Sequence, residues 1–387
     1  MGPEQSLSLS RPSGGSWMQL VQAKAAAPFH FIERMVVRGV RAPVKPIWRR
    51  LDAYSYKFEN TLMARIIAVG LFPLLLVSAV WTGLLAVENG IGVQAFALAF
   101  FYMIGVGVIM APLERLMPWT REWLEQDDAG VDVLMFLTVI PAGALISVAK
   151  VFVIASLVGL IHTHYTPETI KAFWPTALHP VLQVVLLIVV MDFFRYWYHR
   201  WMHEVPFMWR WHSVHHSSTR LYWFNGARSH PLESFVQELI WVVPYALIQA
   251  PAEIVFVAGL ASRIIGKFQH TALNTRHGFM EYIFSGPMNH RYHHAKSAEE
   301  GNTNYGGDIV LWDHLFGTFY LPKGKVPSSD IGCGYMPDYP RSWLGLMMAP
   351  FRIQLWRDAK ARKEAAMKEV EAGDTMPVAA IPTGARE

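Results

Sequence analysis

His199 to His216 reads HRWMHEVPFMWRWHSVHH, and the chain returns to the same theme at His290 to His294, HRYHH. Five of its 16 histidines fall in the first window and three in the second, spaced as His-x3-His, His-x2-His-His and His-x2-His-His. Residues three and four apart on a helix share a face, with Cβ atoms about 5–6 Å apart. Each box is therefore expected to aim two or three imidazoles at one point. A lone histidine is ordinarily a surface or hydrogen-bonded core residue, but repeated ligand spacing reverses that reading. Imidazole suits zinc, copper, iron and nickel, and a set without thiolates and poor in carboxylates argues against zinc ribbons and iron–sulfur clusters. One zinc takes four ligands. Eight or more imply two metals, suited to oxygen chemistry or to metal-assisted hydrolysis.

The remainder of the chain is greasy. Its 387 residues are 52% hydrophobic and only 17% charged, with a mean hydropathy of +0.22; soluble domains carry about 25% charged residues. A membrane protein is indicated and a nucleic-acid partner is not, because the net charge is only +4. Cys333 is the single cysteine, which excludes an internal disulfide and a cysteine-ligated cluster. The N-terminus, MGPEQSLSLSRPSGGSW, has no apolar core, so it reads as a disordered leader and not as a cleaved signal peptide. From Pro28 to Phe58, Arg34, Arg38, Arg41, Lys45, Arg49, Arg50 and Lys57 alternate with Phe29, Phe31, Trp48, Tyr54 and Tyr56. Such a segment is either a helix at an anionic membrane surface or a solvated linker.

A spanning helix needs about 20 apolar residues. Leu62 to Ala86, Ile91 to Pro112 and Val181 to Trp197 meet that need. Val131 to Ile161 is overlong and holds Pro141 and Lys150, so it reads as one tilted or kinked span, or as a span with a re-entrant piece. Basic residues crowd the chain before the first span and are absent from the turn at Val87 to Gly90, which places the N-terminus in the cytoplasm. Four crossings bring the first two boxes to the same side. Ser234 to Phe268, broken by Pro244 and Pro251, is either two spans or a dipping hairpin; shared metals require an even number of crossings, and both readings comply. Gly105 and Gly107 are read as helix packing. Beyond His270 the polar chain forms a cap, with a helical pattern over Arg352 to Glu371 and a disordered tail from Asp374.

The order of the boxes, with Asp192-Phe-Phe-Arg-Tyr-Trp-Tyr-His-Arg before the first and Asn304-Tyr-Gly-Gly-Asp-Ile-Val-Leu-Trp-Asp-His-Leu-Phe-Gly-Thr-Phe after the third, resembles the fatty acid hydroxylase and sterol desaturase superfamily. The resemblance covers Val181 to Leu321. It implies an all-α, polytopic membrane helical bundle with a cytoplasmic histidine-rich di-metal cap, two Fe2+ ions, O2 as co-substrate, a membrane lipid to be hydroxylated or desaturated, and external electrons. No flavin or nicotinamide fingerprint is present, so a separate donor is expected, cytochrome b5-like or a ferredoxin with its reductase. The expected organisation is a basic cytoplasmic or interfacial segment over 1–61, transmembrane helices over 62–180, the catalytic region over 181–321, and a C-terminal helix and tail over 322–387. Oligomeric state is not legible.

The expected ligands are His199, His203, His212, His215, His216, His290, His293 and His294, with His270, twenty residues before His290, matching the further ligand such proteins carry. Asn274 and His277, four and seven positions on, would share its helical face. His230, beside Glu233, reads as a ligand, a hydrogen-bond partner or a helix-start pair. Asp192 lies two helical turns before His199, and a carboxylate in a span is costly unless used. It would either orient a ligand imidazole or pair with Arg195. Asp308 and Asp313 would do similar work or cap turns, and Trp197, Trp201, Trp209 and Trp211 would form an interfacial belt. Two other classes fit some of these features: a zinc-dependent membrane hydrolase, which ordinarily uses fewer histidines with carboxylates, and a metal transporter or storage protein, whose histidines would lie within the spans.

Overall fold

A computed structural model of the chain describes residues 15–90, 93–126, 128–166, 169 and 174–371. Thr61 starts the first spanning helix, its hydroxyl accepting the Ala64 amide at 3.1 Å. Helices α1 (Gly15–Phe58), α2 (Leu62–Glu88), α3 (Val93–Leu116), α4 (Ala129–His162) and α5 (Pro180–Glu204) lead to α6 (Pro206–His216). After it come α7 (Pro231–Ile248), α8 (Ala252–Gln269) and α9 (Pro287–His293). Short helices α10 (Ala298–Gly301), α11 (Leu311–Phe316) and α12 (Trp343–Met348) precede α13 (Ile353–Glu371). The described residues contain no strand, only the isolated bridges Pro118 to Leu273, Phe284 to Ile309 and Ala295 to Ile331.

Among the described residues, three helices, Leu62–Glu88, Gln94–Leu116 and Pro180–Glu204, are long and apolar enough to cross a membrane. The overlong third stretch is one helix, α4, with Pro141 inside it. Its first turns pack into the cap through Val131 and Met135, which explains the surplus length. Ser234 to Phe268 forms two helices of 18 residues each, reversing at Gln249 in the left-handed region, φ 51°.

Contacts along the helices show which way each one runs. Near the histidine end Phe72 of α2 meets Phe268 of α8, ring centroids 5.1 Å apart; at the far end Gly83 faces Val257. Glu114, late in α3, accepts from the Thr271 hydroxyl at 2.9 Å. Arg228 pairs with Asp132 in the first turn of α4, and further along that helix Lys150 pairs with Glu238 of α7. The chain thus leaves the histidine side and returns three times, through α2 and α3, α4 and α5, and α7 and α8.

Lipid offers no hydrophobic gain for helix association, so close packing of small residues holds such helices together. Ala68, Ala79, Ala258 and Ala261 are buried accordingly. At Gly107 a Cβ would stand 2.5 Å from the Trp223 ring, whereas Gly105 faces open space; the packing role belongs to Gly107. Leu74, Val77, Phe100, Phe101 and Phe152 remain exposed, as lipid-facing side chains do. The N-terminal segment is a single helix, not a linker, and begins at Gly15, inside the stretch expected to be disordered. The expected tail from Asp374 lies outside the described residues.

Candidate metal centre

Box one continues the last turns of α5, where the i, i+4 spacing puts His199 and His203 on one face. Val205, extended at φ −92° and ψ 113°, ends α5 and caps α6, and Pro206 starts the new helix at its first position. This sharp turn folds box two back on box one. Box three rides on α9, whose start depends on Gly286: a Cβ there would lie 2.3 Å from Glu281 Oε2. His270 closes α8.

Nine imidazoles converge, in two groups. His199, His203, His212, His216 and His293 offer ring nitrogens within 4.8 Å of one another, and His215, His270, His290 and His294 do the same. The boxes are not aimed one box to one point, as their spacing suggested. In box two His212 and His216 serve the first group and His215 the second; in box three His290 and His294 serve the second and His293 the first. Residues four apart stay together, about 40° from each other around the helix, and the one between them crosses over, because it lies about 60° from the first and about 100° from the second on the other side.

The outer nitrogens are anchored in most of the rings. Nδ1 of His199 donates to the Tyr305 carbonyl at 2.9 Å, that of His293 to Thr303 at 2.8 Å, and that of His215 to Arg228 at 3.0 Å. His270 Nδ1 reaches the Gly266 carbonyl at 3.3 Å. His212 Nδ1 donates to the Glu233 carboxylate at 2.7 Å, and Ser229 donates to the other oxygen of that carboxylate at 3.1 Å. Anchored this way, Nε2 is left as the bare acceptor, the tautomer a metal binds.

The Nε2 atoms supply the test of fit. Those of His203, His216 and His293 are buried without a hydrogen-bond partner. Four others face only one another: His215 to His270 at 3.1 Å, His270 to His290 at 3.0 Å and His290 to His294 at 3.0 Å. An unpartnered buried polar atom ordinarily costs about 1–3 kcal/mol, and a set of them pointing inward fits cations. Burial lowers the His212 imidazole to about 3 and that of His270 to about 4; it holds His215, His216, His290, His293 and His294 well below the ordinary value. All are therefore neutral at physiological pH, the form that coordinates.

Asp192 takes neither expected role. Its carboxylate accepts the backbone amides of Asp308 at 2.7 Å and Ile309 at 3.4 Å, one layer below the histidines, while Arg195 pairs with Asp308. His230 stands outside both groups: Nδ1 accepts the Leu232 amide at 3.2 Å, capping α7, and Nε2 donates to Met347 at 3.2 Å. Its neighbour Glu233 is the carboxylate that grips an imidazole, a role that its place beside His230 in the sequence does not reveal. Asn274 and His277 are not on the helix of His270, since α8 ends there; His277 stacks on Phe72 with centroids 4.7 Å apart. Asp313 accepts the amides of Tyr305 and Gly306 and the Thr318 hydroxyl, fixing the turn whose carbonyl holds His199. Trp209 is no mere belt residue: its ring lies 5.1 Å from His203 and 5.3 Å from His216. Tyr305 and Thr303 contribute through backbone carbonyls, which carry no side-chain signal in a sequence.

A bundle of apolar helices with two buried imidazole groups at one end of it defines a membrane metalloprotein. Comparison with known proteins gives the class. Residues 184–318 match the family model described as fatty acid hydroxylase. The chain is 35% identical over 231 residues to ornithine lipid hydroxylase OlsE of Rhizobium tropici, covering 58% of this chain and 67% of that one. It is 34% identical over 143 residues to alkylglycerol monooxygenase of Xenopus tropicalis, 36% of this chain but only 31% of that one. With very-long-chain aldehyde decarbonylase GL1-9 of Oryza sativa subsp. indica it shares 22% identity over 258 residues, 65% of this chain and 96% of that one. No solved structure matches. The chain belongs to the fatty acid hydroxylase family, and with it to the oxygen-dependent oxidoreductases.

Proposed function

We propose that this protein is a membrane-bound, non-haem di-iron oxygenase that hydroxylates a membrane lipid near the bilayer surface. The observation that carries the reading is the pair of imidazole groups, five and four, with no carboxylate in either among the described residues. A hydrolytic zinc site ordinarily has three protein ligands and often a carboxylate. The transporter reading is weakened by position, since seven of the nine histidines follow the spanning helices. Hydroxylation is favoured over desaturation because two of the relatives are named hydroxylase and monooxygenase.

The proposed ligands are His199, His203, His212, His216 and His293 for one iron and His215, His270, His290 and His294 for the other. Iron held there would supply the oxidising power for an unactivated C–H bond, which side chains alone cannot provide. The chain's own contribution is orientation and exclusion. Glu233 and the carbonyls of Tyr305, Thr303 and Arg228 fix ring tautomers, and Trp209 screens the five-histidine group from water. The reaction balances as R–H plus O2, two electrons and two protons giving R–OH and water, the electrons coming from a separate cytochrome b5-like or ferredoxin donor. The dense basic N-terminal segment supports a cytoplasmic location for the site.

Turnover under 18O2 tests the proposal. One 18O in the product, with consumption of O2 and reductant, is the expected result; product formed without O2 and reductant, or carrying oxygen from water, would overturn it.

A further inference from the structure

Helix α1 is long but runs along the boundary where the spanning helices end, on the histidine side. Asp52 pairs with Arg115 in the last turn of α3 at 3.2 Å. Ser55 and Glu59 accept from Arg121 in the following turn at 2.7 and 2.9 Å. Val37 lies against Gly130 at the start of α4, where a Cβ would come within 2.5 Å of it. Near its other end Glu33 accepts the Trp343 amide at 3.4 Å. One face of α1 is thereby committed to the protein.

The other faces are sorted. At 3.6 residues per turn, Arg34, Arg38, Lys45 and Arg49 fall in one stripe along the flank. All four are exposed, and none has an acidic partner among the described residues. Beside the stripe, Ile32, Met35, Ile47 and Tyr54 make an outer apolar face, each about half exposed, interrupted by Arg50 and Lys57 toward the end. Pro43 and Pro46 are exposed on the same outer side. A proline removes the amide that would bond the carbonyl four residues earlier, here Gly39 and Ala42. Open carbonyls are tolerable in the hydrated headgroup layer and not in hydrocarbon.

We infer that α1 is an in-plane membrane helix whose Arg34, Arg38, Lys45 and Arg49 stripe binds anionic phospholipid headgroups while its outer apolar face enters the adjoining acyl boundary. An acidic soluble protein would satisfy the cations but leave Ile32, Met35, Ile47 and Tyr54 in water; a lipid surface covers both. Each cation near an anionic surface strengthens attachment by about fivefold, and salt weakens it. The inference does not depend on the metals or on the reaction.

The test uses the full chain in nanodiscs of phosphatidylcholine, with or without phosphatidylglycerol. An environment-sensitive fluorophore is placed at Met35→Cys; Cys333 is buried and stays unlabelled. The expected result is blue-shifted emission, quenched by lipid-borne quenchers, in the anionic discs. The neutral discs, and an R34Q/R38Q/K45Q/R49Q variant in anionic discs, should show a severalfold weaker response. High salt should weaken the response of the unsubstituted stripe as well, which guards against misfolding of the variant. A label that stays in water in both lipids, that responds equally in both, or that is shielded only when an acidic protein is added would overturn the inference.

Discussion

The five-histidine and four-histidine groups are built from the same side chain and are anchored differently. In the first, one imidazole is held by a carboxylate, His212 by Glu233 at 2.7 Å, and two by carbonyls of the 303–305 loop. In the second, no carboxylate takes part: His215 and His270 lean on helix and turn carbonyls, and Nδ1 of His290 and His294 is buried without a partner. A hydrogen bond to a charged acceptor is roughly twice as strong as a neutral one, so His212 is the most firmly oriented of the anchored rings, while His203 in the same group has its Nδ1 buried without a partner. The lesson is that ligand count and ligand orientation are separate variables. The groups differ by one imidazole, and more by what stands behind the imidazoles.

The largest effect is expected from removing a proposed ligand. His293→Ala and His294→Ala alter adjacent residues in different groups, and each should bring lipid oxidation to background. Elemental analysis should show metal falling from two ions per chain to one or none in both variants. Retention of two ions in either would break the assignment of that histidine.

Glu233→Gln comes next. It keeps the shape and removes the charge behind His212, and outer-shell partners of this kind are worth about 10–100-fold in metal affinity or activity. Metal titration should show the loss in one of the two binding steps, the other unchanged. Equal weakening of both steps would erase the proposed distinction.

Gly226→Ala probes the other half more gently. Its Cβ would sit 3.0 Å from His270 Nδ1, so the ring must shift by a few tenths of an ångström. A severalfold weakening confined to the step that Glu233→Gln leaves unchanged is expected, and an effect on the step that Glu233→Gln alters would contradict it.

The smallest difference between the halves should appear with pH. Burial lowers His212 to about 3 and His270 to about 4, against about 6.5 in an unfolded chain. The folded metal-free protein favours the neutral rings, so their contribution to stability is present above about 6.5 and is lost as pH falls toward those lower values. The melting temperature of metal-free protein should decline over that interval, and a flat profile would show the rings to be hydrated.

Much of this arrangement could be read from the chain. The apolar stretches and the ligand spacing are local patterns, so α2, α3, α5 and all nine converging histidines, His270 included, were legible. The split between groups was not, because it depends on the turn at Val205 and on how α9 meets α6. Asp192 was misplaced for a related reason. Helical phase gives the side of a residue but not its depth, and one layer deeper the nearest donors are the amides of residues 308 and 309. The helix leading to His270 ends at Gln269, five residues short of Asn274 and eight short of His277, so no shared helical face forms. Glu233 acts across 21 positions on His212, and no periodicity reports such a distance.

The crossing of box two and box three has a further consequence. His215 with His216, and His293 with His294, are neighbours joined by a single peptide bond, yet each pair divides its rings between the two groups. The spacing of the two centres is therefore written twice in backbone geometry, like a ruler ruled on both edges. Stretching one centre away from the other would require unwinding α6 and the end of α9 together. A change in the distance between the two groups is therefore a change of helix geometry, which no rotation of a side chain alone can supply.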